Sequence, residues 1–340
     1  MEQIRLDNQL PVKKTDHTSK GDQLKWKIGN IWYKSDYMGY EGLSETLVSH
    51  LLQKSTLSHP FVLYQPVRIA YRGTLRSGCS SPDFLKANQM LIPLEKLYRQ
   101  NTGDSLAISL AAFSEPAERI RFLADQLENM TGIQNFGAYL TAMLEIDAFF
   151  LNEDRHTNNI AVLYDTETAQ YSLSPLFDQG LCLFADTSND YPLDLPMVCM
   201  ERIEAKPFSS DFDTQLDAAE KLYGIQLHFS FTPKDVCTEL ASLADYYPLE
   251  IRQRVEQIIR RQMRKYGYLM RRVEKKTVQK SPHAVCVFCT VFFFDLFTRS
   301  YAIFLNTGIE SIGAAARIVC PPSYTFPSLV SSQRPAGRYT

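Results

Sequence analysis

The chain has 340 residues, 45% of them hydrophobic and 22% charged, with a formal net charge of -2. At roughly 150 residues per domain this is about two domains with ample core-forming residues, which excludes wholesale disorder and collagen-like repetition. The charge is segregated: Glu250–Lys280 carries eleven Lys/Arg against three acids, whereas the first 249 residues carry 21 against 33, which excludes a basic chain that coats nucleic acid along its length.

Residues 1–14 are polar and give no clear element. In Leu24–Lys34 the apolar Leu24, Trp26 and Ile28 alternate with Lys25 and Lys27, the period of a half-buried strand. Gly29-Asn30 follows as a two-residue hairpin turn, because both residues tolerate positive φ. Leu43, Leu47, His50 and Leu51 recur at three and four after Gly39-Tyr40-Glu41-Gly42 and predict a short amphipathic helix. Pro60–Ala70 is apolar and β-branched enough for one or two further strands.

Beyond Pro82 the pattern becomes helical, over Leu106–Phe113, Ile120–Met130 and Phe136–Phe150. The last of these runs into Asn152-Glu153-Asp154-Arg155-His156. Ile160–Tyr164 and Tyr171–Leu176 predict a second hairpin around a polar turn. Helical segments follow over Gln215–Tyr223 and Lys234–Tyr246. Pro248 then introduces a long helix with Ile251, Val255, Ile258 or Ile259, Met263, Tyr266, Met270 and Val273 on one stripe. The expectation is an α+β chain, a small β-rich lobe followed by a larger helical one. The expected divisions are residues 1–80, 81–280 and a tail over 281–340.

The strongest local signal is Asn152–Asn159. A helix delivers it and a strand leaves it, so its polar side chains stand on a loop between two rigid elements. Nineteen residues further on comes Phe177-Asp178-Gln179-Gly180. Taken alone, Asp-Arg-His near an Asn also describes a solvated loop with a local ion pair, and the second acidic triplet shifts the balance. Asp154, Asn159 and Asp178 are the set that phosphoryl transfer requires: a carboxylate to accept a hydroxyl proton, and an amide oxygen with a second carboxylate to hold Mg²⁺. Hard oxygen donors suit Mg²⁺, whereas thiol or imidazole clusters suit zinc. Arg155 and His156 read as supports of the loop.

These residues resemble the HipA-like serine/threonine kinases, whose catalytic stretch reads Asn-x-Asp-Arg-His-x-x-Asn, followed by a hairpin and a Pro-Leu-aromatic-Asp element. Here these are Asn152–Asn159 and Pro175–Asp178. Thr18–Trp26 is similar to the family's phosphate loop entering a strand, Ile31–Asp36 to its nucleotide-lysine strand, Gly39–Ser49 to the following helix, and Pro207–Ser210 to a later segment. The resemblance spans about residues 12–275. It implies a two-lobed protein-kinase-like fold using ATP and Mg²⁺. Asp154 would be the catalytic base and Asn159 with Asp178 the metal ligands. Ser19, Lys20, Gly21 and Lys34 would contact nucleotide phosphates, with Glu45 as the ion-pair partner of Lys34. Lys25 and Lys27 compete with Lys34 for that role.

Thr15–Gly21 holds one glycine rather than a glycine series, so phosphate binding there would rely on backbone N–H groups and Lys20. Thr18 and Ser19 are candidate autophosphorylation sites. The family's toxin members carry an N-terminal subdomain before the kinase core, and only about a dozen residues precede the loop here. That subdomain, or an antitoxin-like partner, would then be separately encoded. The expected substrate is a protein. A lipid or small-molecule kinase of the same catalytic type, and a nucleotide-binding pseudokinase that only docks partners, are the alternatives.

The basic helix, residues 251–276, reads as a solvated charged face, or as a dock for an acidic partner or RNA. Seven scattered cysteines are too few for a disulfide scaffold and fit a reducing compartment. The polar opening residues lack a secretory pattern, and the longest apolar run, Ala284–Phe294, is about half a membrane span. A cytoplasmic, soluble protein is expected. His283, Cys286, Cys289 and Cys320 could supply four zinc ligands, but their spacing matches no common finger.

Overall fold

A computed structural model describes residues 2–12, 23–196 and 203–270. All of these belong to the first of two units into which the chain divides after Glu274. Ser19, Lys20, Gly21, Thr18, Arg271–Lys276 and the cysteine-bearing tail lie outside the described residues.

The first sheet is built from β1 (Gln3–Arg5), β2 (Lys25–Ile28), β3 (Ile31–Ser35), β4 (Gln65–Tyr71) and β5 (Thr74–Pro82), in the order β1-β4-β5-β3-β2. The predicted hairpin forms, with Trp26 opposite Tyr33 and Lys25 opposite Lys34. Of the two turn residues only Gly29 takes positive φ, at 58°. Because opposite residues share a face, Trp26 and Tyr33 join Leu6, Val67 and Ile69 in a buried cluster. Lys25 and Lys34 stand together on the other face. Residues 60–64 are not a strand. They bridge instead to the segment before Asp178, through Val62 N–H to Leu176 O at 2.9 Å.

Helix α1 (Glu41–Leu52) follows β3. It was expected to be amphipathic, yet eleven of its twelve residues are buried, His50 excepted. A helix buried all round must satisfy its own polar groups. The Ser44 hydroxyl donates to Cys182 O, Thr46 to Gly42 O and Ser49 to Thr46 O. Leu43, Leu47 and Leu51 belong to the same continuous core as the helices of the second lobe. The helix that carries Glu45 is therefore fixed to both lobes. Gly42 permits this: a Cβ there would stand 2.5 Å from the Gly78 carbonyl carbon of β5.

The second lobe begins with β6 (Gln89–Pro93) and α2 (Leu94–Thr102), neither visible in the sequence pattern. Next come α3 (Leu106–Ala111), α4 (Pro116–Thr131) and α5 (Phe136–Phe150). The predicted second hairpin is β7 (Ala161–Asp165) with β8 (Gln170–Leu173), and β6 pairs with β7 to complete a three-stranded sheet. Three helices close the lobe: α6 (Phe212–Tyr223), α7 (Pro233–Ser242) and α8 (Leu249–Lys265). Helix α8 is shorter than the 251–276 expected. It stops before Gly267, where a residue without a side chain favours helix termination, and Tyr266–Leu269 forms turns instead, with Met270 bridging to Phe229. Within the described residues the expected apolar stripe holds, with Val255, Ile258, Ile259 and Tyr266 buried; Val273 lies outside them. On its charged face Arg260 pairs with Glu256 and Lys265 with Asp213. Among the described residues no helix is long and apolar enough to cross a membrane.

Candidate active site

Helix α5 is apolar throughout except for Thr141, Glu145 and Asp147, all fully buried. It ends at Leu151, which adopts the left-handed conformation with φ 58° and donates its N–H to Asp147 O. A leucine there is strained, and the reversal throws residues 152–159 back across the end of the helix. Asp147 organises that loop. Its Oδ2 accepts from Arg155 Nε at 2.7 Å, and its Oδ1 accepts from Arg155 Nη2 at 3.0 Å and Asn152 Nδ2 at 2.9 Å. The remaining guanidinium nitrogen, Nη1, donates to Asn159 O at 3.0 Å and Phe177 O at 3.3 Å. One buried cation thus ties both ends of the 152–159 loop to the segment leading to Asp178. Burial disfavours the charged guanidinium, but the Asp147 carboxylate outweighs it and raises its pKa further. Arg155 is a support, as the sequence reading held. Asp147 was missed, although an acid inside so apolar a helix, eight residues before an arginine, was the available signal.

Within the loop, the Asp154 N–H donates to Asn152 Oδ1 at 3.2 Å, and Asn159 Nδ2 donates to Asp154 O at 2.8 Å. Asn159 Nδ2 also stands 3.4 Å from Asp154 Oδ2. Residues 154–159 thus form a six-residue turn closed on itself, with the Asp154 carboxylate and the Asn159 amide side by side. Thr157 is anchored to Glu95 of α2 at 3.0 Å. The His156 ring lies with Nε2 3.8 Å from Asp154 Oδ2, and among the described residues neither ring nitrogen has a hydrogen-bond partner. Lys206, from a loop more than forty residues later, brings Nζ to 3.9 Å from Asp154 Oδ1.

Lys34, Glu45 and Asp178 are brought together from three elements. Lys34 Nζ pairs with Glu45 Oε1, and lies 3.1 Å from Asp178 Oδ1 and 3.4 Å from the Tyr64 hydroxyl. A lysine at a strand end is ordinarily solvated, but this side chain is only 12% exposed. Burial alone would lower the Lys34 pKa; the neighbouring Glu45, Tyr64 and Asp178 overcome it and hold the amine well above its usual value. Burial likewise opposes ionisation of Asp178, but the charges of Lys34 and Lys25 prevail and hold its carboxyl well below the usual range. Glu45 completes the arrangement by accepting the Gln179 N–H on Oε2 at 2.9 Å. Asp178 itself has φ 65°, a backbone strain of the kind that persists where the surroundings over-determine it.

Of the competing lysines, Lys27 turns away and pairs with Asp83 between the lobes. Lys25 remains on the Lys34 face, and its charge reaches Asp178. Among the described residues no group of three or more His, Cys, Asp or Glu is arranged to hold a metal ion. The donor set at Asn159 and Asp178 is one amide and one carboxylate. That fits Mg²⁺, which takes one or two carboxylates and completes its shell from substrate phosphates and water.

The sheet of five strands, the buried helix carrying Glu45 and the helical lobe define a two-lobed kinase-like α+β fold. The structure is similar to a crystal structure of the Helicobacter pylori proinflammatory kinase CtkA, with a TM-score of 0.51 and 15% sequence identity, covering 77% of this chain and 94% of that one. No family model matches the sequence, and no curated protein matches it.

Proposed function

We propose that this chain is a HipA-like, ATP- and Mg²⁺-dependent kinase that transfers the γ-phosphate to a serine or threonine hydroxyl of a protein. One observation carries the reading: a continuous set of contacts joins Lys34, Glu45 and Asp178 to the loop bearing Asp154 and Asn159, through Gln179 and Arg155. Asn159 Oδ1 and the Asp178 carboxylate would hold Mg²⁺. When bound, the cation neutralises charge on the nucleotide phosphates.

Lys34, with Lys25 beside it, binds phosphate oxygens, and Glu45 keeps the lysine charged and aimed into the cleft. Asp154 orients the acceptor hydroxyl. The hydroxyl oxygen bonds to the γ-phosphorus, the bond to the β,γ-bridging oxygen breaks with its electron pair leaving on ADP, and the hydroxyl proton passes to Asp154. Asn159 Nδ2 and the Asn152 side chain hold the Asp154 turn in place through these events.

Purified protein given γ-labelled Mg·ATP with protein and lipid fractions should label itself or another protein on Ser or Thr. Asp154→Ala should lower the rate by a factor of about 10²–10⁴, the usual contribution of a positioned base, and Asp178→Ala should lower it as well. Undiminished labelling by both variants would overturn the assignment of the site. Label confined to lipid would overturn the acceptor class.

A further inference from the structure

The catalytic loop brings little free positive charge to the point where the phosphoryl group would be transferred. Its arginine is committed: the Arg155 guanidinium is buried against Asp147 and two backbone carbonyls. The position two residues after the base is His156, not a lysine. A transferring phosphoryl group spreads negative charge over its equatorial oxygens, and cations placed there are a principal source of rate enhancement. We propose that Lys206 supplies this cation, reaching across from outside the loop to contact the γ-phosphate of the nucleotide during transfer.

Three observations place it there. First, Lys206 Nζ lies 3.9 Å from Asp154 Oδ1, on the carboxylate oxygen other than the one facing Asn159 and His156. A hydroxyl hydrogen-bonded to Asp154 sits about 2.7 Å from the carboxylate, and the phosphorus it attacks about 3 Å further on, so a lysine at this distance is within reach of the transferred group. Second, the backbone that presents it is fixed. Ala205 and Phe208 are buried, the Ala205 N–H donates to Ser210 O at 2.8 Å, and Arg119 of α4 donates to Phe208 O at 2.8 Å. Third, the side chain is 37% exposed, so it retains the freedom to move from Asp154 to a phosphate oxygen. Its long flexible stem and compact charge suit that movement.

The inference rests on the kinase reading, and its test separates the two. Calorimetric titration with ADP and with a non-hydrolysable ATP analogue, each with Mg²⁺, measures binding without turnover. Lys206→Met should weaken the analogue by about 10–100-fold, the range for a charge-assisted contact, and leave ADP within about twofold, because ADP has no γ-phosphate to lose a contact with. In transfer, Lys206→Met should raise KM for ATP as the analogue's affinity falls and also lower kcat, and Lys206→Arg should recover part of both. Equal weakening of both nucleotides, or no change in either together with unchanged kcat, would overturn the role of Lys206 and leave the kinase reading standing. Failure of the unsubstituted protein to bind either nucleotide would overturn the kinase reading and this inference with it.

Discussion

Replacing Asp147 by alanine should destabilise the protein far more than any exposed charge removal. Asp147 is 0% and Arg155 1% exposed, and the carboxylate accepts three hydrogen bonds, two from Arg155 and one from Asn152. Arginine does not shed its proton in proteins, so the substitution leaves a buried, uncompensated guanidinium, a loss of about 3–5 kcal/mol. The Asn152 amide keeps Gln179 Oε1 at 3.3 Å but loses its other partner, which adds about 1 kcal/mol. A unit of this size loses roughly 2–4 °C in Tm per kcal/mol, so a loss of about 4 kcal/mol predicts a fall of roughly 8–16 °C. Differential scanning calorimetry of Asp147→Ala, Arg155→Leu and the Asp147→Ala/Arg155→Leu double variant measures it. The double variant should lose well under the sum of the single losses, because neither partner is then left charged and alone. A fall under about 3 °C for Asp147→Ala, or strict additivity in the double variant, would refute the claim that this pair holds the catalytic loop.

Two further outcomes follow from α1. Asp36 accepts the Gly42 N–H and the Tyr247 hydroxyl, and burial with the nearby Glu41 charge pushes its pKa up to about 8. The folded protein thus holds a proton that the unfolded chain releases near pH 4, so this group's contribution to stability falls as pH rises from about 4 to 8. Thermal melts of Asp36→Asn should therefore gain on the unsubstituted protein from pH 5 to pH 8, and a difference independent of pH would contradict the assignment. At Gly42, alanine would add about 1 kcal/mol of helix propensity, but its Cβ would meet the Gly78 backbone at 2.5 Å. Overpacking against backbone costs about 1–3 kcal/mol and should win, lowering Tm. A higher Tm for Gly42→Ala would show that α1 and β5 are not in close contact.

Much of this architecture was legible because it is local. Lys25–Lys34 shows its period and turn, and α5 shows unbroken apolar residues ending in a polar loop. What the sequence concealed depends on partners distant along the chain. Strand β6 and α2 were hidden because Gln89–Thr102 mixes strand and helix formers, and β6 is stabilised only by pairing with β7. The burial of α1 could not be seen from Ser44, Thr46 and Ser49, whose hydroxyls are small enough to be satisfied inside the core. The apparent run of α8 to Val273 came from counting Met270 on the helical stripe, although Met270 instead bridges to Phe229.

The site divides in the same way. Asp154, Asn159 and Asp178 stand out by pattern, in two short polar motifs on either side of one hairpin. Lys34 and Glu45 are ordinary surface residues by pattern and are brought together only by the docking of α1 against β3 and the 177–180 segment. Lys206 adjoins the Pro207–Ser210 segment but carried no signal of its own; the turn closed by Ala205 N–H on Ser210 O and held to α4 by Arg119 on Phe208 O presents it beside Asp154.

The most direct test of the central claim is quantitative phosphoproteomics of cells expressing the protein or its Asp154→Ala variant at equal abundance. Phosphoserine or phosphothreonine sites that rise with the unsubstituted protein and stay at baseline with the variant are the predicted result. Identical phosphoproteomes, with both proteins folded, would contradict it.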